Sequence, residues 1–136
     1  MGDQINIKMQ DGFELSAYRS TPSVESKGVV VVIQEIFGVN AHIREVADGY
    51  AAQGYSAIAP ALFDRIERDI ELGYAEADMG KGIELAFQGL EMAQTMKDLQ
   101  SVVDYGAVKG TVGVVGFCFG GLLTYLSACQ LKGVAA

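Results

Sequence analysis

The sequence has 136 residues, the size of one domain, and a formal net charge of −7. Half of the residues are hydrophobic and 20% are charged, which excludes a disordered chain and fits a globular one. The ten basic residues form no cluster, so the phosphate contacts of a nucleic-acid-binding protein are not provided for.

The first residues are polar and mixed, without the basic-then-apolar pattern of a secretory leader. The longest fully apolar run, residues 29–33, is far too short to span a membrane. Cys118 and Cys129 stand eleven residues apart. That spacing fits neither a C-x-x-C redox pair nor a zinc site, and a reducing cytoplasm is the expected location.

In chain order, residues 5–9 alternate apolar and polar, Gln10, Asp11 and Gly12 mark a turn, and residues 13–20 alternate again. This predicts an antiparallel hairpin. Residues 29–33 are four valines and an isoleucine. Such a run predicts a strand covered on both faces, as in a parallel sheet. A loop over 35–40 leads into a helix whose inner face carries Ile43, Val46, Ala47, Tyr50 and Ala51. Asn40 is its expected N-cap and Gly54 its stop.

Residues 55–60 read as another buried strand, and 64–82 as loop or short helices. One long helix is expected from about 84 to 105, with Met92, Met96, Leu99, Val102 and Val103 inward and Gly106 ending it. A strand over 111–117, a Gly-containing turn and a helix over about 119–131 follow. Residues 133–136 look like the start of one more strand. Alternating strands and helices predict an α/β fold with a mostly parallel sheet.

The strongest chemical signal is Gly116-Phe117-Cys118-Phe119-Gly120-Gly121, at the junction of a buried strand and a helix. It is the G-x-S-x-G nucleophile-elbow pattern with Cys for Ser. A nucleophile on a sharp turn stands clear of the backbone. The residues two before and two after it must be small, because strand and helix nearly touch there. The helix N-terminus behind the sulfur favours negative charge. The N–H of Phe119 would face a developing oxyanion. The competing reading is a Gly-rich turn holding a structural cysteine. A nucleotide loop is disfavoured, since neither G-x-G-x-x-G nor G-x-x-x-x-G-K-[ST] is present.

Gln34-Glu35-Ile36-Phe37-Gly38-Val39-Asn40 follows the apolar strand at its carboxyl end. Ligands of open parallel sheets bind at that edge, and the Cys118 turn lies on it too. Taken alone, Glu35 would be a solvated loop acid.

These two segments, with the stretch from His42 through Tyr55 and the run Ala59-Pro60-Ala61-Leu62-Phe63, resemble the dienelactone hydrolase family of α/β-hydrolases. The likeness runs from about residue 28 to residue 129. It implies a partial α/β-hydrolase domain over 1–136, with an N-terminal antiparallel hairpin and with later strands and helices missing. It further implies Cys118 as nucleophile toward a small lactone or carboxylic ester, and Glu35 as the acid that hydrogen-bonds and helps activate the resting thiol. The oxyanion donors would be the backbone N–H groups of Phe119 and Ile36. No cofactor or metal is implied, nor a nucleic-acid or membrane partner.

The family's triad continues with an Asp and a His after this point. The one histidine, His42, lies where the family has an ordinary side chain and is expected on the surface or in helix packing. Asp98 and Asp104 are expected to be solvated. Arg65, Arg68 and Lys81 lie near the family's carboxylate-binding position but out of register, which disfavours dienelactone itself. Cys129, about 16 Å along the helix from Cys118, is expected to pack rather than to form a redox partner. An uncovered strand at 112–117 would invite pairing with another chain, so self-association or a longer product is expected. The alternative is a non-catalytic remnant or interaction module that keeps the fold. A thiol redox protein is disfavoured, because no resolving cysteine is near.

Overall fold

The structure, a computed structural model, describes residues 2–136. Its centre is a five-stranded sheet in the order β1-β2-β4-β3-β5. β1 (Asp3–Lys8) and β2 (Glu14–Ser20) form the expected hairpin, and β2 pairs antiparallel with β4 (Ser56–Pro60). β4, β3 (Val29–Ile33) and β5 (Val112–Gly116) run parallel.

The apolar run of β3 is explained by its two coverings. Val29, Val31 and Ile33 face a core shared with Leu99, Val102, Val103 and Leu123 of α3 (Met92–Ala107) and α4 (Phe119–Gln130). Val32, with Val30 beside it, packs instead with Ile43 and Ala47 of α1 (Ala41–Ala52). Successive side chains of a strand point to opposite faces, so a strand buried on both needs no polar position. Asn40 caps α1 as expected, accepting from the N–H of Ile43 at 3.2 Å, and Gly54 follows the helix with φ +98°.

The segment between β4 and β5 departs from expectation. A short 3-10 helix (Leu62–Arg65) is followed by α2 (Glu76–Glu84) and a π-helical turn (Leu85–Gly89), and only then by α3. The single helix expected over 84–105 is therefore broken. Leu90 and Glu91 are extended, and the N–H of Leu90 donates to the Leu85 carbonyl at 2.9 Å. Leu85 and Leu90 both reach the main core. A spacing of five fits one wide turn but not the 3.6-residue period of a continuing α-helix. Met92, expected inside, opens α3 and is exposed. Gly106 does not end that helix, which runs to Ala107, but lies buried against Val29 and Val112.

Asp98 is not solvated. It is 2% exposed and takes two hydrogen bonds from Arg65, at 2.9 and 2.7 Å. Arg65 also donates to Asp11 at 2.7 Å and stacks over Phe13 at 4.3 Å. An aspartate on the inner side of a helix is tolerable when a guanidinium meets both of its oxygens. Asp104 is exposed, as expected, and accepts from Gln100.

Residues 134–136 lie along β5. Val134 bridges Val112 in parallel, Ala135 donates to Val112 and Val114 donates to Ala136. The edge of β5 is thus covered at its start and open toward Phe117.

Gly116 and Gly120 bring β5, α4 and the end of β3 within contact: a Cβ on Gly120 would lie 2.5 Å from the Ile33 carbonyl oxygen. Gly120→Ala should cost about 3 kcal/mol in urea unfolding, the upper part of the range for overpacking. Gly49→Ala, on α1 with nothing within 4 Å of its added Cβ, should instead stabilise by about 0.5–1 kcal/mol. Asp98→Ala should destabilise by about 2 kcal/mol, because it removes two charge-assisted hydrogen bonds and leaves Arg65 paired with Asp11 alone. Hydrogen bonds from Arg65 hold the Asp11 carboxyl down at about 2. Its contribution is therefore full above the ordinary aspartate value and is lost as pH falls through the depressed one, a window from about pH 4 to about pH 2. Asp11→Asn should flatten the loss of stability within that window.

Candidate active site

The parallel pairing of β3 with β5 aligns Ile33 with Gly116. The chain leaves both strands at the same edge, so Glu35 and Cys118 each stand two residues beyond an aligned pair. That alignment brings together the two segments singled out in the sequence.

Cys118 lies between β5 and α4 with φ 57° and ψ −120°. Among the described residues only it and Asp69 have positive φ without being glycine. A non-glycine residue held there stores on the order of 1–3 kcal/mol of strain and persists only where its surroundings enforce it. The surroundings here are plain. A Cβ on Gly116 would sit 2.2 Å from the Gly120 carbonyl oxygen, and one on Gly120 would sit 2.6 Å from that of Gln34. Strand and helix touch backbone to backbone, which leaves little room for the turn between them. Gly121 and Leu122 both donate to the Cys118 carbonyl, at 2.9 and 3.2 Å. The thiol itself is exposed.

Phe119 opens α4, with its ring buried and packed edge-on against Phe87 at 5.5 Å. Its N–H is one of the donors that a helix start leaves free, and no described residue accepts it. Ile36 lies in the turn after β3, and no described residue accepts its N–H either.

The Glu35 loop is held from several sides. Gln34 is fully buried; its amide donates to the Glu35 carbonyl at 3.1 Å and accepts from the Leu62 N–H at 3.0 Å. Gly38 has φ +80°, and a Cβ there would overlap the Ile70 carbonyl. Gly82 of α2 lies directly on the Ile36 carbonyl, where an added Cβ would stand 2.3 Å away. Asn40 ties the loop's far end to Leu72 and Tyr74. Glu35 is partly buried. Among the described residues no hydrogen bond or ion pair engages its carboxylate, and none joins it to the Cys118 thiol.

Gln34 and Gly82 are supporting residues that sequence reasoning did not assign. A polar residue ending an all-apolar strand was a usable signal for the first. The second had none, since its contact depends on where α2 comes to rest.

The remaining candidates lie elsewhere. His42 is exposed on the first turn of α1. Arg65 is held by Asp11 and Asp98, Arg68 by Asp64, and Lys81 by Glu67 at 3.5 Å. Cys129, expected to pack, is exposed. Leu123 and Ser127 form the buried face of α4, and Cys129 falls off that stripe. Among the described residues no helix is long and apolar enough to cross a membrane, and no group of acids, histidines and cysteines could hold a metal ion.

Over residues 15–136 the chain matches the family model described as "Dienelactone hydrolase family". It is 40% identical over 121 residues to the "Putative carboxymethylenebutenolidase" of Synechocystis sp., covering 85% of this chain and 49% of that protein. It is 32% identical over 130 residues to the carboxymethylenebutenolidase of Pseudomonas putida, covering 93% and 55%. The chain spans about half the length of these relatives. A crystal structure titled "Putative Dienelactone Hydrolase" from Klebsiella pneumoniae superposes with a TM-score of 0.81 at 30% identity, covering 98% of this chain and 56% of that one. An α/β hydrolase from Penicillium sp., at 16% identity and a TM-score of 0.71, shares the fold. With the elbow sequence, the strained cysteine and the family match in agreement over most of its length, the chain belongs to the dienelactone hydrolase family.

Proposed function

We propose that these residues carry the nucleophile half of a hydrolase for small carboxylic esters or lactones. The observation that supports this most directly is the left-handed backbone of Cys118 between two glycines that leave it little room. Strain of this kind serves to hold a side chain in one aim.

In the proposed reaction the Cys118 sulfur attacks the ester carbonyl carbon. The carbonyl oxygen, now an anion, is received by the N–H groups of Phe119 and Ile36. One such donor contributes about 10²–10³ in rate. The carbon–oxygen bond then breaks, the alkoxide leaves with its electron pair and gains a proton, and the acyl group remains as a thioester. Water cleaves the thioester and restores the thiol. Glu35, on the adjacent loop, is assigned to activating the thiol. The base is not assigned to His42, which is exposed on the first turn of α1, nor to any other residue described here.

That division of labour gives a distinct expectation for the 136-residue chain alone. Cys118 should accept one acyl group from p-nitrophenyl acetate, read by mass spectrometry of the digested chain, and should do so faster than Cys129 and faster than the urea-unfolded chain. Sustained turnover should not exceed that of Cys118→Ala. Acylation of Cys118 no faster than Cys129 would sink the nucleophile assignment. Sustained turnover above the control would place a base among the described residues. The second reading, a non-catalytic interaction module, is favoured by the exposure of His42 and predicts no preferential acylation at all.

A further inference from the structure

Gln34 is fully buried directly after β3, and the reaction proposed above leaves its side chain without a part. A buried amide is costly unless its oxygen and its N–H groups find partners. The partners here are specific. Its oxygen accepts from the N–H of Leu62 at 3.0 Å, and its nitrogen donates to the carbonyl of Glu35 at 3.1 Å. The two ends of the amide cannot be exchanged, since an N–H needs an acceptor and a carbonyl needs a donor.

The Glu35 carbonyl and the Ile36 N–H belong to one peptide group. That group is planar, and in its trans form the C=O and the N–H point in opposite directions. A donor held at the Glu35 oxygen therefore fixes the direction of the Ile36 N–H. The donors in this series all run the same way. The Leu62 N–H points into the Gln34 oxygen and the Gln34 amide into the Glu35 oxygen, and the Ile36 N–H is accepted by no described residue. Aligned hydrogen bonds polarise one another, which makes the last N–H of the series a stronger donor. The backbone of Gln34 is fixed at the elbow as well, since a Cβ on Gly120 would stand 2.6 Å from the Gln34 carbonyl oxygen. One residue thus ties the helix behind Cys118 to the peptide that carries the second assigned oxyanion donor.

We infer that Gln34 is a positioning residue that orients and polarises the Ile36 N–H for the developing oxyanion. The inference rests on the proposed roles of Cys118 and Ile36 and adds to them the group that holds the donor in place.

The test compares two reactions of the Cys118 thiol in the 136-residue chain. With p-nitrophenyl acetate the sulfur forms a thioester bond, nitrophenolate leaves with its electron pair and the thiol proton passes to solvent, by way of an oxyanion. With iodoacetamide the sulfur displaces iodide directly, the proton again passes to solvent, and no oxyanion forms. The quotient of the two rates at Cys118 removes the ionisation and the exposure of the thiol. Gln34→Met keeps the length of the side chain and offers no donor. Its quotient should fall about tenfold, a part of what loss of a whole oxyanion donor costs, while alkylation stays within about twofold of the parent. Gln34→Glu is the second variant. Protonated, its carboxyl accepts from Leu62 and donates to Glu35 as the amide does; ionised, it has no donor. Burial raises the pH at which it ionises. Divided by the parent's quotient at the same pH, which carries any titration of Glu35, its quotient should be near unity at about pH 5 and fall about tenfold toward about pH 9. Where Gln34→Met does not fold, this second comparison decides alone. A folded Gln34→Met with the parent's quotient would overturn the inference, as would a Gln34→Glu quotient equal to the parent's throughout that range. If p-nitrophenyl acetate does not label Cys118 of the parent ahead of Cys129, the nucleophile assignment fails first and takes this inference with it.

Discussion

The contact of Gly120 with the end of β3 governs the rest of this structure. With an added Cβ only 2.5 Å from the Ile33 carbonyl oxygen, no residue larger than glycine fits without moving backbone. The start of α4 is therefore pressed against the strand beside β5. Gly116 meets Gly120 in the same way on the β5 side. Between these two contacts a single residue must reverse the chain, and Cys118 does so at φ 57°. The strain is local, and the burial of Leu123 and Phe119 on the inner face of α4 offsets it.

The same edge is stiffened by polar ties rather than by packing alone. Gln34, fully buried, joins the Glu35 carbonyl to the Leu62 N–H, and Asn40 joins α1 to residues 72 and 74. Both amides sit where strands have ended and backbone groups lack sheet partners, and a buried polar group left unpaired there would be costly. The loop of Glu35 and Ile36 is thereby fixed at both ends, with α2 laid across its middle at Gly82. Positions held in this way suit groups that must keep one geometry through a reaction.

Much of this was legible in the residues. The hairpin, β3, α1 with its cap, and the glycine-flanked elbow follow from period, capping and steric rules that act over a few residues. The family resemblance then extends these local signals to a common sheet edge. What was not legible depends on distant partners. Asp98 reads as a solvated helix acid until Arg65, from a different segment, is placed against it. The break after α2 arises because Leu85 and Leu90 reach one core, which no helical window reveals. Cys129 reads as packing because α4 is apolar almost all round, and only the position of the sheet decides which side is covered. The supporting role of Gly82 belongs to the same class.

The central claim is that the elbow aims one sulfur and two N–H groups at a single point. A crystal structure of the chain treated with a small neutral aldehyde addresses it directly, since the thiol adds to the carbonyl and leaves an oxygen where the oxyanion would form. The account predicts a hemithioacetal on Cys118 whose oxygen lies about 3 Å from the backbone nitrogens of both Phe119 and Ile36. An adduct whose oxygen points to solvent, or one bonded to Cys129 in preference to Cys118, would contradict it.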